Sequence, residues 1–386
     1  MKTISTLSKI LLFLLFSFSN SAHASHLMGG DITYKWLGGK KYEFTFTIYR
    51  DCRGIPFNSP SITMFQKGGV NNTSVNYTRT SIKDITNICD DTSIKRPCLP
   101  ENTTANEGIE EHIFVANVDF GSSPFNIFDD TNSCEVYIKL EQCCRNGAIN
   151  TLSPANFYIE SMLNLCNSNY VNSSPKFYDV GTLVAFCGEP FLANFSGYDF
   201  VDFDSVSYEL VNPLSASNTN IGYTGNFSKD IPMTPYCPPN PGTLNCKPLP
   251  NAKPPRGFYF NENTGEIKFT PIKCDEVGVI SLKVNEFRKV NGKWLQIGYS
   301  IRDVQIIVKN NPTLIINQLQ VFLILYKFRT REKTCFEIST VDNKHQLQTD
   351  TANYGINTKI IVLNAPSGST LEYLDSSVDN KTGRFC

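Results

Sequence analysis

Residues 25 to 54, SHLMGGDITYKWLGGKKYEFTFTIYRDCRG, are the stretch that decides the fold. In YEFTFTIY (42–49), apolar and polar side chains alternate with the period of two that a strand with one buried face requires. The dipeptide Gly38-Gly39 stands just before this run, and paired glycines at this place favour a tight hairpin turn. The stretch therefore predicts two antiparallel strands.

The 24 residues before this stretch have the pattern of a secretory signal peptide. Lys2 and Lys9 carry positive charge, residues 10–18 are apolar, and Ala22-His23-Ala24 is a small-x-small cleavage site. Without the two lysines the formal net charge falls from −1 to about −3. This balance argues against nucleic acid as a partner. We expect an exported protein, secreted or on the outer cell surface, with no transmembrane helix after the signal is removed.

Thirteen cysteines in an exported chain predict disulfide bonds. The pairs Cys89/Cys98 and Cys237/Cys246 each bracket a short loop that contains proline, so we expect each pair to be bonded. The neighbours Cys143 and Cys144 are expected to bond to separate partners rather than to form a redox site, because C-x-x-C spacing is absent. Since thirteen is odd, one thiol is left over, and Cys386 is the expected one.

Strand patterns and turn residues dominate the whole chain, and no window shows a helical apolar stripe. We predict an all-β protein in which tandem immunoglobulin-like or cadherin-like β-sandwich modules follow a disulfide-rich N-terminal β-domain. The expected boundaries are 25–180 for the N-terminal domain, 181–310 for the sandwich and 311–386 for an incomplete third β-module. Residues 68–108 are expected to form long surface loops, residues 235–257 a disulfide-clipped loop, and Asn291-Gly292 the turn of a long hairpin.

Three aspartates within six residues, Asp199, Asp202 and Asp204, are the best candidate ligands in the sequence. Calcium prefers several oxygen ligands, and such a loop supplies carboxylates together with main-chain carbonyls. The alternative is that these aspartates cap a turn and are solvated. Turn chemistry is the preferred interpretation of the weaker pair Asp129 and Asp130.

Signatures of catalysis are missing from the sequence. The mature histidines, His26, His112 and His345, have no zinc-site spacing, and neither a G-x-S-x-G elbow nor a P-loop occurs. The adjacent Glu110 and Glu111 are interpreted as part of a solvated loop rather than as a glycosidase pair. We therefore expect a protein that is not an enzyme and has no cofactor, apart from calcium.

Several motifs resemble those of one family of proteins. The opening stretch and CCRNGAIN (143–150) are similar to the N-terminal domain of large modular surface proteins of gliding bacteria. YDFVDFDSVSYEL (198–210) and FNENTGEIKFTP (260–271) resemble cadherin-like, immunoglobulin-like and PKD-like bacterial modules. APSGSTLEYLDSSVDNKTGRFC (365–386) looks like the second of these motifs, cut off before its usual end.

The resemblance implies an adhesin-like, gliding-motility-associated protein exported by type IX secretion, although the C-terminal sorting domain of the family is missing. The expected function is that of a non-enzymatic extracellular structural or adhesive segment that contacts surface proteins or glycans. The main alternative is a carbohydrate-binding accessory region of a secreted hydrolase. A secreted enzyme that uses loop 68–108 is a third alternative, without a motif in its favour.

Overall fold

The computed structural model describes residues 26–310, except 53, 55–58, 68–70, 86–97, 99–107, 130–133, 153–154, 178–181, 200 and 240–243, and beyond them the strands 336–341, 371–376 and 380–385. The regular secondary structure of the described residues is almost entirely β-strand, which confirms the all-β prediction. The predicted signal peptide, Cys89 and Cys386 lie outside the described residues. No described helix is long and apolar enough to cross a membrane.

The strands of the first half are β1 (Leu27–Gly38), β2 (Lys41–Asp51), β3 (Ser61–Gln66), β4 (Asn72–Ser74), β5 (Thr78–Asp84), β6 (Ile109–Asp119), β7 (Glu135–Gln142), β8 (Phe157–Asn164) and β9 (Lys176–Phe177). Those of the second half are β10 (Thr182–Phe186), β11 (Phe191–Asn194), β12 (Gly197–Tyr198), β13 (Ser205–Val211), β14 (Leu214–Ala216), β15 (Thr219–Asn220), β16 (Tyr259–Phe260), β17 (Glu266–Phe269), β18 (Val277–Val290) and β19 (Lys293–Lys309). Two single-turn helices are described, the 3₁₀-helix Phe125–Phe128 and α1 (Leu165–Ser168).

Both hairpins predicted from glycine turns are present. Strands β1 and β2 pair antiparallel around Gly38 and Gly39, whose φ angles of 106° and 59° favour glycine. Strand β18 pairs antiparallel with β19 along its whole length around Asn291 and Gly292, and both of these residues have positive φ, as a type I′ turn requires. The expectation of loops throughout 68–108 was wrong in part, because β4 and β5 pair with β3 and β6 there.

Strand β19 connects the two halves of the chain. One of its edges carries β18, and its other edge pairs in turn with β8 at residues 298–300, with β1 at Asp303, and in parallel with β10 at residues 305–309. The long sheet therefore continues from strands of the predicted N-terminal domain into strands of the predicted sandwich. Strands β11, β17 and β16 form a separate small sheet.

Two hydrophobic clusters lie on either side of the predicted boundary at residues 180/181. The first lies within residues 27–165, and its fully buried aromatic side chains are Tyr42, Phe44, Phe46, Phe114, Phe120, Phe128 and Phe157. The second lies within residues 185–308 and includes Phe195, Ile267, Phe269, Leu282, Val284, Val304, Ile306 and Val308. Because both clusters contact one continuous sheet, the division into tandem sandwich modules stays a prediction.

Residues 312–386 form a second compact unit. Its described strands are β20 (Phe336–Val341), β21 (Leu371–Ser376) and β22 (Asn380–Phe385), with β22 in the middle of an antiparallel sheet. The expectation that this unit is an incomplete module stays a prediction.

Candidate functional site

The three predicted calcium ligands lie together in the loop between β12 and β13. Asp199, Asp202 and Asp204 each place a carboxylate oxygen within 4.8 Å of the others, and all three side chains are partly buried. We call residues 199–204 the acidic loop. The structure therefore brings together the three residues that the sequence singled out.

Asp199 organises the backbone of this loop. Its Oδ1 accepts hydrogen bonds from the amides of Val201 and Asp202, both at 3.0 Å, and its Oδ2 accepts one from the amide of Asp204 at 2.6 Å. Such side-chain-to-backbone bonds are typical of an aspartate that caps a turn. The turn role that the sequence left as an alternative is thus present for Asp199.

Arg288 of β18 binds the last aspartate of the loop. Ser205 lies opposite Phe287 in the β13–β18 ladder, so Asp204 comes next to Arg288. The guanidinium holds the carboxylate through two atoms, with Nε 2.9 Å from Oδ1 and Nη2 on Oδ2. Arg288 also donates to the carbonyl of Val171 at 2.6 Å and to Asn172 Oδ1 at 3.1 Å. One arginine therefore ties the acidic loop to residues 171–172.

Asp202 faces the same neighbouring segment, since its Oδ2 accepts a hydrogen bond of 2.5 Å from the amide of Ser173. Burial raises the pKa of Asp202, and the negative charges of Asp199 and Asp204 add to this effect, which the Ser173 amide and Arg288 oppose. The loop therefore holds more negative charge than Arg288 alone balances.

Glu286 extends the cluster into the interior. This side chain is fully buried. Its Oε2 accepts hydrogen bonds from Asn172 Nδ2 at 2.8 Å and from the Tyr34 hydroxyl at 3.2 Å, whereas Oε1 has no hydrogen-bond partner among the described residues. Burial is the main cause that raises the pKa of Glu286 well above its ordinary value, and the charges of Asp199 and Asp204 raise it further.

Sequence reasoning missed Glu286 and Arg288, although a signal was present. Along β18, Ile280, Leu282 and Val284 belong to the second hydrophobic cluster, and Glu286 follows at the same period of two. A carboxylate on the apolar face of a strand is rarely left unpaired, so this position marks a buried polar site.

Glu110 and Glu111 were assigned to a solvated loop, and this assignment was wrong. Both lie in β6, where neighbouring side chains point to opposite faces. Glu110 binds Arg50, with Oε2 2.7 Å from Nη2, and lies 3.0 Å from His112 Nε2. Asp129 contacts Lys40 and Tyr170, whereas Asp130 lies outside the described residues.

The cysteine pairing corrects two predictions. Cys98 is bonded to Cys52 rather than to Cys89, because the end of β2 brings Cys52 to a Cα–Cα distance of 5.5 Å from Cys98, within the range that a disulfide spans. Cys143 and Cys144 are bonded to each other, across a cis peptide bond, and not to separate partners. Cys237 is bonded to Cys246, the pairing that the sequence predicts. The remaining disulfides of the described residues are Cys134–Cys166 and Cys187–Cys274.

The CCRNGAIN segment, which contains Cys143 and Cys144, forms hydrogen bonds with both halves of the chain. The amide of Leu27 donates to the carbonyl of Cys144 at 3.1 Å, and the amide of Asn146 donates back to Leu27 at 2.7 Å. At the end of the segment, the buried Asn150 donates to the carbonyls of Pro232 and Val279 and accepts from the Val279 amide. The buried residues of this segment, Arg145 and Asn150, are polar because each has polar partners in the interior.

A row of three aromatic rings crosses one face of the long sheet. Phe65 stacks on Tyr137 with ring centroids 5.2 Å apart, and Tyr137 meets Tyr299 edge to face at 6.2 Å. We call Phe65, Tyr137 and Tyr299 the aromatic row. Beside it, Glu160 accepts a hydrogen bond of 2.6 Å from the Tyr299 hydroxyl, and Lys283 Nζ lies 4.0 Å from the Tyr299 ring centroid. Rings and charged groups thus alternate on this face.

Comparison with known proteins gives no match to a family model, to a curated protein or to a solved structure.

Proposed function

We propose that this chain is a non-enzymatic structural and adhesive segment of an extracellular or cell-surface protein, of the gliding-motility-associated type that the sequence motifs resemble. Its disulfides support an extracellular location, because disulfide bonds persist in the oxidising environment outside the cell. Surface proteins and glycans are its proposed partners, and type IX secretion is the proposed route of export.

The observation that carries the adhesive role is a group of exposed apolar side chains at one end of the long sheet. Strands β1 and β19 run antiparallel, so the turn after β1 and the turn before β19 lie at the same end. Leu37 and Trp294 stand at these turns and are 48% and 58% exposed. The acidic loop, tied to Arg288 near the second turn, adds Val201 and Phe203, which are 50% and 68% exposed. We call Leu37, Val201, Phe203 and Trp294 the apolar end.

Exposed apolar side chains gathered in one region favour contact with another surface, whereas single ones scattered over a protein are ordinary. Phe203 strengthens the case, because it has a φ of 58° and presents a large ring to solvent. A bulky residue rarely adopts this backbone conformation. The exposed ring therefore lies on a loop whose backbone amides are hydrogen-bonded to Asp199.

The test measures, in a flow cell, how many beads coated with the mature protein or with a variant stay bound to a coated surface. Replacing three residues of the apolar end, in the variant Leu37→Ser, Phe203→Asn, Trp294→Ser, should lower bead retention on protein-coated or glycan-coated surfaces at least several-fold. The matched control replaces exposed apolar residues elsewhere, in the variant Ile82→Ser, Leu152→Ser, Leu249→Ser, and should keep retention. Equal retention by both variants, or no retention by the unmodified protein, contradicts the proposal.

The aromatic row supports the second candidate function, a carbohydrate-binding accessory region of a secreted hydrolase. Flat aromatic rings beside carboxylates and amines match the apolar faces and hydroxyl groups of sugars. Affinity electrophoresis in gels containing a soluble β-glucan or xylan distinguishes the two functions. Phe65→Leu should abolish retardation, whereas Tyr299→Phe, which keeps the ring, should retain most of it. No retardation of the unmodified protein by either polysaccharide would leave the adhesive segment as the better function.

A further inference from the structure

We propose that Cys143 and Cys144 are a redox-active pair: a dithiol reduces their disulfide while the chain stays folded, and the reduced pair holds the start of β1 less firmly. The sequence argued against a redox site here, because C-x-x-C spacing is absent. The structure, however, bonds the two cysteines to each other. The inference goes beyond the adhesive role and does not depend on it.

Sequence separation distinguishes this disulfide from the other four of the described residues. Those four join cysteines that are 46, 32, 87 and 9 residues apart, so the reduction of any of them opens a loop of the chain. Cys143 and Cys144 are neighbours, and their bond closes no loop beyond the two residues themselves. In the chain-entropy model a disulfide stabilises the fold less as its loop becomes shorter. This pair can therefore be reduced at little cost to the stability of the fold.

A reductant reaches the pair from solvent. Cys143 is exposed and follows directly after the last residue of β7, Gln142. Thiol–disulfide exchange needs such access, because a thiolate must approach one of the sulfur atoms. Cys166 and Cys274 are exposed too, but their disulfides span 32 and 87 residues. Within the described part of the chain, the Cys143–Cys144 pair alone combines an exposed cysteine with a bond that closes no chain loop.

The exchange with a dithiol takes place in two balanced steps. One thiolate of the dithiol attacks the Cys143 sulfur and forms a mixed disulfide, while the Cys143–Cys144 bond breaks and Cys144 leaves as a thiolate. The second thiolate of the dithiol then attacks the dithiol sulfur of the mixed disulfide, and Cys143 leaves as a thiolate. The dithiol is thereby oxidised to a disulfide, and the protons that it has lost are taken up by Cys143 and Cys144.

The residues of this segment hold the start of β1. The Leu27 amide donates to the Cys144 carbonyl at 3.1 Å, and the Asn146 amide donates to the Leu27 carbonyl at 2.7 Å. The disulfide closes a small ring through the backbone of Cys143 and Cys144, and this ring restricts the dihedral angles that position the Cys144 carbonyl. Reduction opens the ring, so the hydrogen bond from the Leu27 amide should break more often.

The experiment equilibrates the mature protein at increasing ratios of reduced to oxidised dithiothreitol and traps thiols with iodoacetamide. Mass spectrometry should find both cysteines of the tryptic peptide 140–145 alkylated at a ratio about ten times lower than the cysteines of the other described disulfides require. Circular dichroism should show a folded protein at that ratio. Hydrogen exchange should then be several-fold faster in peptides that contain Leu27, and unchanged in peptides from β11.

Two variants give the matched comparison. Cys143→Ser with Cys144→Ser has no bond to reduce, so hydrogen exchange at Leu27 should be fast in both oxidising and reducing buffer. Cys237→Ser with Cys246→Ser removes the disulfide that spans 9 residues and should keep the response of Leu27 to the reductant. Reduction of Cys143 and Cys144 only together with the other disulfides would overturn the proposal. Selective reduction that leaves hydrogen exchange at Leu27 unchanged would overturn it as well.

Discussion

Arg145 and Asp303 form an ion pair that joins the two halves of the chain in the interior. Arg145 Nη1 lies 2.5 Å from Asp303 Oδ2, and the two side chains are 2% and 0% exposed. Arg145 follows the vicinal cysteines, whereas Asp303 lies in β19, opposite Gly30 of β1. The guanidinium also lies over the ring of Phe157, 5.0 Å from its centroid. The pair therefore stands where strands of both halves meet.

Breaking this pair should strongly destabilise the protein. Arg145→Met leaves the Asp303 carboxylate buried without its cation, and such a loss typically costs about 3–5 kcal/mol. Urea unfolding of Arg145→Met, Asp303→Asn and the double variant measures the coupling. The double variant should be clearly more stable than the sum of the two single losses indicates. Simple additivity of the two losses would show that the pair is not coupled. The control is Lys229→Ala, at an exposed ion pair, which should change the free energy of unfolding little.

Replacing Asn150 should destabilise the protein nearly as much, although its side chain carries no charge. Its side chain is fully buried and makes hydrogen bonds of 2.8 Å to Pro232 O, 2.9 Å to Val279 O and 3.0 Å from Val279 N. Asn150→Ala leaves these backbone groups without partners, which should cost about 2–4 kcal/mol in urea unfolding. Asn146→Ala, at a partly buried position, should cost less. An equal loss in the two variants would contradict the special role of Asn150.

Peptide mapping under non-reducing conditions should find the disulfides of the described residues as the structure pairs them. The informative peptide joins Cys52 to Cys98, because the sequence alone predicted Cys89 as the partner of Cys98. A peptide that joins Cys89 to Cys98 would contradict the structure at this point. The Cys143–Cys144 bond should appear as one peptide lighter by two hydrogens than its reduced form.

The two disulfides of the second half should differ in their effect on stability. Cys187–Cys274 spans 87 residues and Cys237–Cys246 spans 9. In the chain-entropy model the longer loop stabilises by about 4.6 kcal/mol and the shorter by about 2.6 kcal/mol. Replacing each pair by serine and measuring urea unfolding should therefore show the larger loss for Cys187 and Cys274. The reverse order would indicate that native-state contacts, rather than chain entropy, dominate.

Glu110 should make stability depend on acid pH. The hydrogen bond with His112, followed by the contacts with Arg50, lowers its pKa from 4.5 to about 2, against the opposing effect of burial. A carboxyl whose pKa is lowered by folding stabilises the native state above its unfolded pKa, and this contribution disappears as pH falls from about 4.5 to about 2. Glu110→Gln should therefore be less stable than the unmodified protein at pH 6, with the difference shrinking towards pH 2.

Urea midpoints at pH 6, 4 and 3 measure this difference. Glu209→Gln, at an exposed position of β13, is the matched control and should follow the unmodified protein at each pH. A difference between Glu110→Gln and the unmodified protein that stays constant with pH would show that the lost hydrogen bonds, and not the ionisation of Glu110, determine its effect.

Local patterns account for what the sequence predicted well. Alternation in YEFTFTIY and glycines at two turns identified hairpins, because side-chain period and turn geometry depend only on neighbouring residues. The same holds for Asp199, Asp202 and Asp204, which lie within one loop and were found together. The error at Glu110 and Glu111 arose from the polar residues around them, which hid the alternation by which β6, paired with β2, buries every second side chain.

The sequence by itself determined that this protein is made of strands, where its two main turns lie and which loop collects carboxylates. Only the tertiary structure decided that Cys52 bonds Cys98, that Arg288 and Glu286 stand at the acidic loop, and that Arg145 pairs with Asp303. The physical reason is that strand propensity and turn chemistry act between near neighbours. Pairing between distant segments depends instead on which strands β19 brings together, and many pairings satisfy the same local pattern.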